Sequence, residues 1–488
     1  MTLPTVDLPD VGADWVDEFL LGDRATGSVC FRLPEPVDRT TLRRLVVERQ
    51  AVLTGAGLRA GGAAALRLPP SLAYVVHLLA VWRAGGQAIL LDHRLTDHEV
   101  DRALRLLHPQ VVVAAERIRL APLQVFADAD VVVTGYGTGP AGSPHAVIQL
   151  SSGSTGPSKV IGRTAADLTA EVRRYTEIDG VPLPGERIIL LPSMVHVLGL
   201  VGGLLYGLHA GVELQPPRRF TGGDVLDAVA AHDSPATVLG VPFHIGLLAA
   251  TAPGRPLPQF KRMTTGGELV PAATVRAFRD RHDAVLANMY GMTEVGVIGT
   301  DLHGEHRPAI RPAPGLTVRE VAGELWVSCP RSPYVGLSDP SRWSDGWLHT
   351  RDAGVVDPET GLVTIRGRLD SQVSVGGMKV DLTEVEATVT GLPGVSAAVV
   401  VHDGDITAYV QAESGRPDAP LTGKMIEREL GVRLAGYKRP QVVHLLDQLP
   451  RTTTGKLVRT PAVLRRAATR ATATGTGTAT ASGTDGGS

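Results

Sequence analysis

The sequence predicts an α/β protein: a large N-terminal domain of helix-covered sheets with a small β-barrel-like subdomain, then a small α+β C-terminal domain. Three observations carry that expectation. Helical and strand patterns alternate between residues 42 and 135, the rhythm changes to short strands and turns from about 310, and a compact strand-and-helix segment begins after Asp370. At 488 residues the chain is also too long for one hydrophobic core.

Taken in order, residues 41–55 read as a helix, 64–68 as a strand, 71–84 as a helix, 87–91 as a strand, 96–107 as a helix and 110–115 as a strand. Strands separated by helices of this length imply a parallel, helix-covered sheet. The pattern continues with strands at 187–191, 237–241 and 284–289. The most apolar stretch, 195–211, is glycine-rich and interrupted by His196 and His209, which marks a buried helix and not a membrane span. Strands at 316–320, 324–328, 353–357 and 362–366 make the barrel-like run, and those at 397–401, 407–412 and 442–446 belong to the C-terminal domain. The expected boundaries are 1–369, 370–465, and a low-complexity Thr/Gly/Ala tail at 466–488 that lacks the residues to bury a core and should be disordered.

Composition narrows the function classes. With 43% hydrophobic and 20% charged residues and a net charge of −2, the chain is globular and has no basic excess for a nucleic-acid partner. Residues 1–17 are acidic and carry no signal-peptide pattern, so a cytoplasmic protein is expected. Cys30 and Cys329 stand far apart with no metal-ligand spacing, which argues against a disulfide framework or a zinc site. Only six of the 48 basic residues are lysine, so a lysine inside a motif is informative.

The strongest local signal is Ser151-Ser152-Gly153-Ser154-Thr155-Gly156-Pro157-Ser158-Lys159, directly after an apolar strand at 146–150. Small residues let backbone N–H groups turn toward an anion, hydroxyls add donors and the lysine adds charge. The spacing is not that of a Walker A loop. A flexible linker shares this composition, but linkers seldom end in a rare lysine and a new strand. Gly137–Gly142 satisfies G-x-G-x-x-G, yet Pro140, Pro144 and the following strand exclude the helix that a dinucleotide site requires. His303 and His306 lie in a polar loop without a third ligand and read as surface. The second signal, Asn288-Met289-Tyr290-Gly291-Met292-Thr293-Glu294, ends an apolar strand, where α/β sheets bind ligands. A hydroxyl beside a carboxylate there suits phosphate with Mg²⁺.

Together these motifs resemble the adenylate-forming superfamily of acyl- and aryl-CoA synthetases, adenylation domains and luciferases, over residues 40–465 and in the family's order. The resemblance makes Ser151–Lys159 the phosphate loop, with Ser151, Ser152, Gly153, Ser154, Thr155, Gly156 and Lys159 binding nucleotide. Thr264-Thr265-Gly266-Gly267-Glu268 resembles the segment lining the acyl pocket and adenine, so Gly267 and Glu268 join the nucleotide set with Asn288, Met289, Tyr290, Gly291, Met292 and Thr293. Asp345-Gly346-Trp347-Leu348-His349-Thr350-Arg351-Asp352 resembles the segment whose aspartate, here Asp352, holds the ribose, and Gly367-Arg368-Leu369-Asp370 the hinge motif, with Arg368 on the nucleotide and Asp370 as the hinge. Pro450-Arg451-Thr452-Thr453-Thr454-Gly455-Lys456 resembles the motif of the catalytic lysine, Lys456. The implied catalytic set is Lys456, Thr293, Glu294 and His196, with Glu294 holding Mg²⁺; His196, Phe243, Gly266 and Gly291 would line the acyl pocket, although a core histidine is the alternative for His196.

The resemblance implies an ATP-dependent acyl-CoA synthetase that forms an acyl-AMP and, after the mobile C-terminal domain rotates, transfers the acyl group to the CoA thiol. ATP, Mg²⁺ and coenzyme A are the implied cofactors, and a monomer or homodimer is expected. No aspartate stands at or next to His196, so the acid should lack an α-amino group. Ser374-Val375-Gly376-Gly377-Met378-Lys379 and Gly436-Tyr437-Lys438-Arg439-Pro440 resemble CoA-ligase segments, which places CoA on Gly376, Gly377, Met378 and Lys379. The alternatives are a stand-alone adenylating enzyme that loads a carrier protein, or one that mainly thioesterifies pre-formed acyl-AMP; a non-catalytic adenylate binder fits less well, because Lys456 and Glu294 are kept. Val160 and Arg351 replace usual glycines, and Ser371 a frequent acid, departures that bear on the adenylation half-reaction.

Overall fold

The computed structural model describes residues 14–22, 28–119, 123–151, 159–267, 270, 272–369, 371–413, 421–450, 457–473 and 479–481. The chain divides into two compact units, one of residues 1–93, 106–151 and 159–369, the other of residues 94–105, 152–158 and 370–488.

The first unit contains three sheets. In the six-stranded sheet, strands Ala63–Arg67, Gln87–Leu90, Val111–Arg119 and Val147–Ser151 run parallel, while Asp128–Gly135 and Lys159–Arg163 close the two edges antiparallel. In the nine-stranded sheet, Arg187–Leu190, Ala236–Gly240, Phe260–Gly266 and Val285–Met292 are parallel, and Gly296–Asp301 turns back antiparallel. The strands read from the helix–strand rhythm are parallel as expected, and antiparallel strands are added at the sheet edges, where short hairpins leave no helical spacer for the sequence pattern to register. Strand Asp128–Gly135 is followed by loop and then by strand Val147–Ser151, so no helix follows Gly137–Gly142.

Helix Leu72–Arg83 is capped by Ser71, whose hydroxyl accepts from Tyr74 N, and it buries Trp82, whose indole N–H donates to Ala146 O at 2.8 Å. The apolar segment becomes a wide helical turn, Leu198–Leu205, that continues as the α-helix Tyr206–Ala210. It is largely buried, with Leu200, Val201, Leu204 and Leu205 fully enclosed and Leu198 and His209 partly exposed. Among the described residues no helix is long and apolar enough to cross a membrane. The third sheet, built on Val318–Val321, Glu324–Ser328, Trp347–Val356 and Val363–Arg368, is antiparallel.

In the second unit, Val395–Asp403, Asp405–Ala412, Val442–Leu446 and Ala479–Ala481 form one sheet, covered by Leu382–Thr390 and Gly423–Arg433. Lys438 Nζ is buried between Glu99 Oε1 at 2.8 Å and Glu384 Oε1 at 3.3 Å. The expectation of a structureless tail from 466 is corrected for its described residues, 466–473 and 479–481: helix Pro461–Ala473 runs past that point and strand Ala479–Ala481 pairs with Val442–Leu446. Leu464 and Ala468, one helical turn apart, are buried and give the helix a face to dock that bulk composition hides.

Candidate active site

The parallel order Arg187–Leu190, Ala236–Gly240, Phe260–Gly266, Val285–Met292 aligns four carboxyl ends side by side. The segment bearing His196 follows the first, Phe243 the second, Gly266 and Gly267 end the third, and Asn288 to Glu294 end the fourth. This edge is where an α/β sheet leaves backbone and side chains for a ligand. Gly266 pairs with Met289, so the two motifs touch along the strand. Gly291 sits where the register shifts; a Cβ there would lie 2.6 Å from Gly296 O, which requires glycine.

Nucleotide candidates from three motifs converge. Asp352 and Arg368 are direct cross-strand partners, with Arg368 Nη1 3.1 Å from Asp352 Oδ1. The Tyr290 hydroxyl donates to Asp352 Oδ2 at 2.5 Å, and Asp352 N donates to Thr350 Oγ1 at 3.0 Å. Burial, with the Asp352 charge second, holds the Tyr290 phenol well above its usual range, so it remains a donor.

The segment expected to be the phosphate loop is flanked by strands Val147–Ser151 and Lys159–Arg163, paired from Val147↔Arg163 to Ser151↔Lys159. Residues 152–158 themselves, like Glu268, Asp370 and Lys456, lie outside the described residues. Val160 is an ordinary strand residue opposite Leu150, whereas Arg351 adopts φ +62°, the region that favours glycine.

Glu294 is half-buried on the turn after Val285–Met292. Burial raises its carboxyl above the ordinary range, opposed by its own backbone, Lys159, Tyr334 and Arg368. A desolvated carboxylate of this kind is held ionised by a nearby cation. Among the described residues, no group of three or more His, Cys, Asp or Glu could form an all-protein metal cage. Mg²⁺ needs none, since it takes one or two carboxylates and completes its shell with phosphate and water oxygens; Glu294 fits that requirement.

On the acyl side, Phe243 is 56% exposed at the first turn of helix Pro242–Ala249. The loop carrying His196 is pinned by Tyr74, whose hydroxyl donates to Met194 O at 3.0 Å, and by Gln149, which donates to Val195 O at 2.6 Å. His196 Nε2 is buried without a hydrogen-bond partner, 3.8 Å from Asp92 Oδ2. Gly376 and Gly377 form a two-residue turn, both with positive φ, between Gln372–Val375 and Met378–Asp381 in the second unit, with Met378 buried and Lys379 exposed.

Several participants carry no sequence signal. Asp92 reaches His196 from the end of another strand, Tyr334 donates to Glu294 Oε1 at 3.2 Å, and the buried Glu171 accepts from Val297 N at 2.8 Å just beyond the Glu294 turn. Each pairing is long-range, and the helix and loop patterns around these residues are otherwise ordinary.

Residues 42–326 match the family model described as AMP-binding enzyme, and residues 384–456 the model of the AMP-binding enzyme C-terminal domain. The chain is 31% identical over 335 residues to the 3-[(3aS,4S,7aS)-7a-methyl-1,5-dioxo-octahydro-1H-inden-4-yl]propanoyl:CoA ligase of Rhodococcus jostii (strain RHA1), covering 64% of this chain and 63% of that one. It is 25% identical over 478 residues to a p-hydroxybenzoic acid–AMP ligase of Mycobacterium marinum, covering 90% and 68%. It therefore spans about two thirds of the length of both relatives. The fold is similar to that of a double mutant of o-succinylbenzoate CoA synthetase from Bacillus subtilis bound with a product analogue, with TM-score 0.77, 21% identity, and coverage of 93% of this chain and 98% of that one.

Proposed function

The chain belongs to the AMP-binding enzyme family, and from that premise we propose that it is an ATP-dependent ligase that activates a ring-bearing carboxylic acid as its acyl-adenylate and transfers the acyl group to the thiol of CoA. The observation that carries the reading is the convergence of Tyr290, Asp352 and Arg368, from three separate motifs, beside a carboxyl edge that also presents His196, Phe243 and Glu294. Both curated relatives are named for acids with a ring system, which supports that substrate class.

A carboxylate oxygen attacks the α-phosphorus of ATP, an O–P bond forms, and pyrophosphate leaves with the electron pair of the bond that breaks. The CoA sulfur then attacks the acyl carbon, the thioester forms and AMP leaves. Asp352 would accept from the ribose hydroxyls while Tyr290 and Arg368 hold its carboxylate in place. Lys159 and Lys456 would answer the phosphate charge, Lys456 where it develops in the first step. Thr293 would donate to a phosphate oxygen. His196 and Phe243 would bound the acyl group, with the backbone at Gly266 and Gly291 lining it beside them. Gly376 to Lys379 would meet CoA, and Asp370 would be the hinge of a C-terminal domain starting there. Glu294 would hold Mg²⁺, which when bound neutralises phosphate charge.

Pyrophosphate release with a panel of acids tests the proposal. Ring-bearing carboxylates should release it and consume CoA, whereas α-amino acids should not; no release with any acid would refute the activity. A second reading, an acid–AMP ligase that loads a carrier protein, is favoured by the name of the Mycobacterium marinum relative. Product with a holo-carrier but none with CoA alone would select it.

A further inference from the structure

Tyr334 belongs to none of the motifs, yet it stands where two of them meet. Residues 333–335 run beside the strand that leaves the phosphate loop: Gly162 N donates to Pro333 O at 2.9 Å, Val335 N donates to Val160 O at 2.9 Å, and Ile161 bridges Tyr334. These backbone bonds fix the Tyr334 Cα against Lys159–Arg163 whatever its side chain does. The ring packs with Ile161, Cys329 and Leu348, and against Met292 and Val295, the residues on either side of the Thr293–Glu294 pair. Tyr334 is 7% exposed, and its hydroxyl donates to Glu294 Oε1 at 3.2 Å. Burial first and the Glu294 charge second push the phenol far above its usual range, so it acts as a donor and never as a base.

We propose that Tyr334 is a positioning residue for Glu294: it ties one carboxylate oxygen to the strand at the base of the phosphate loop and so orients the other for the magnesium–nucleotide. The proposal rests on the reading of Glu294 as the carboxylate that holds the metal. A glutamate has three side-chain torsions, the last of them broad, and an untethered carboxylate would be ordered only when the cation arrives. Tyr334 removes that freedom beforehand, and because its backbone is tied to the strand Lys159–Arg163, it registers Glu294 against the start of the phosphate site.

The test titrates ATP calorimetrically into the full chain at a series of Mg²⁺ concentrations, without acid so that no turnover occurs. Tyr334→Phe, Glu294→Gln and the double variant are compared with the unaltered protein. Phenylalanine keeps the ring packing and removes only the donor, so the thermal midpoint and, in a separate pyrophosphate-release assay, the half-saturation for the acid should stay unchanged. The Mg²⁺ half-saturation for ATP binding should rise roughly three- to tenfold, the scale of one ordinary hydrogen bond, because the tyrosine reaches the cation only through the carboxylate. The double variant should be no worse than Glu294→Gln, because the tyrosine acts only through that carboxylate. A Tyr334→Phe titration that overlays the unaltered protein while Glu294→Gln is shifted overturns the proposal alone. An unshifted Glu294→Gln titration overturns the metal reading and the proposal with it. Equal weakening of acid and nucleotide in Tyr334→Phe, with a fallen thermal midpoint, assigns the tyrosine to packing and also overturns the proposal.

Discussion

The nucleotide side and the acyl side of the candidate site are built differently. Asp352 and Arg368, on paired strands of one sheet, meet Tyr290 from another, and the three side chains hold one another within the protein. On the acyl side the backbone is held, by Tyr74 and Gln149, but the functional atom is not: His196 Nε2 is buried without a partner, and so is Thr265 Oγ1 in the adjoining part of the sheet. Cross-strand register fixes the first region, since Asp352 and Arg368 are obligatory neighbours on paired strands. The second depends on a loop entering a helix, where side-chain direction is decided by what fills the pocket.

Breaking the nucleotide side should have the largest effect. Asp352→Ala leaves the Tyr290 hydroxyl and the Arg368 guanidinium without their shared acceptor. We expect kcat/KM for ATP to fall on the order of 10²-fold or more, with the half-saturation for the acid little changed. Pyrophosphate release measured against each substrate separately decides it. Equal loss for both substrates would mean that the cluster supports the fold as a whole.

His196→Ala is the matching change on the acyl side, and its effect should be smaller and of opposite selectivity. Because the imidazole holds no internal hydrogen bond at Nε2, its removal leaves no buried protein group orphaned. The half-saturation for the acid should rise roughly tenfold while ATP binding stays unchanged. A variant with normal acid kinetics would return His196 to the role of a core residue.

Much of this was legible in the sequence because the features are local or periodic. The strands ending at Gly266 and Met292 announce themselves by apolar runs closed with glycine-bearing motifs, and the sheet rules then put their ends together. What stayed hidden is contact across distance. Tyr334 and Glu294 are 40 residues apart and Glu171 and Val297 are 126 apart, with no periodicity linking either pair. The absence of an aspartate next to His196 in the chain also said nothing of Asp92, which the fold brings to 3.8 Å. The two replaced glycines likewise look alike in sequence and differ in the fold. Val160 replaces a glycine in sequence yet needs no special backbone, while Arg351 carries the positive φ.

Acid should loosen the acyl side, and here the sign can be worked out. His244 begins the helix next to Phe243; its Nδ1 accepts from Val241 N at 3.0 Å and its ring stacks on Phe220. Burial lowers its pKa to about 4. In the unfolded chain this histidine protonates near 6.5, so between those values the unfolded state binds a proton that the native state refuses. Stability is therefore intact above about pH 6.5 and declines as pH falls toward 4, by roughly 3 kcal/mol at most for this one group. His77 and His282, both lowered by burial, pull in the same direction. Urea midpoints at pH 7.5 and 5 should differ, and His244→Gln, which keeps an acceptor and removes the titration, should shrink the difference. An unchanged difference would place the acid sensitivity elsewhere.

The smallest effects test whether the nucleotide side tolerates its own irregularities. Arg351 precedes Asp352 at φ +62°, a conformation that costs a non-glycine residue about 1 kcal/mol. Its surroundings compensate. Arg351 N donates to Glu324 Oε1 at 2.8 Å, its Nη2 donates to Ser341 O at 2.7 Å, and its carbonyl accepts from Leu369 N at 2.8 Å. Arg351→Gly relieves the backbone, keeps both backbone bonds, loses the half-exposed Ser341 contact and gives the unfolded chain more freedom. These terms nearly cancel, so the thermal midpoint should move by no more than about 2–4 °C and ATP half-saturation by less than about threefold. Val160→Gly removes a strand-forming side chain from a residue paired with Leu150 and supplies no conformation that the strand uses. It should lower stability slightly and leave acyl-AMP formation unimproved relative to thioester formation from synthetic acyl-AMP. If instead Val160→Gly accelerated the ATP-dependent half-reaction more than tenfold, closure of the phosphate loop would be the limiting step, and the nucleotide side would be less complete than Tyr290, Asp352 and Arg368 make it.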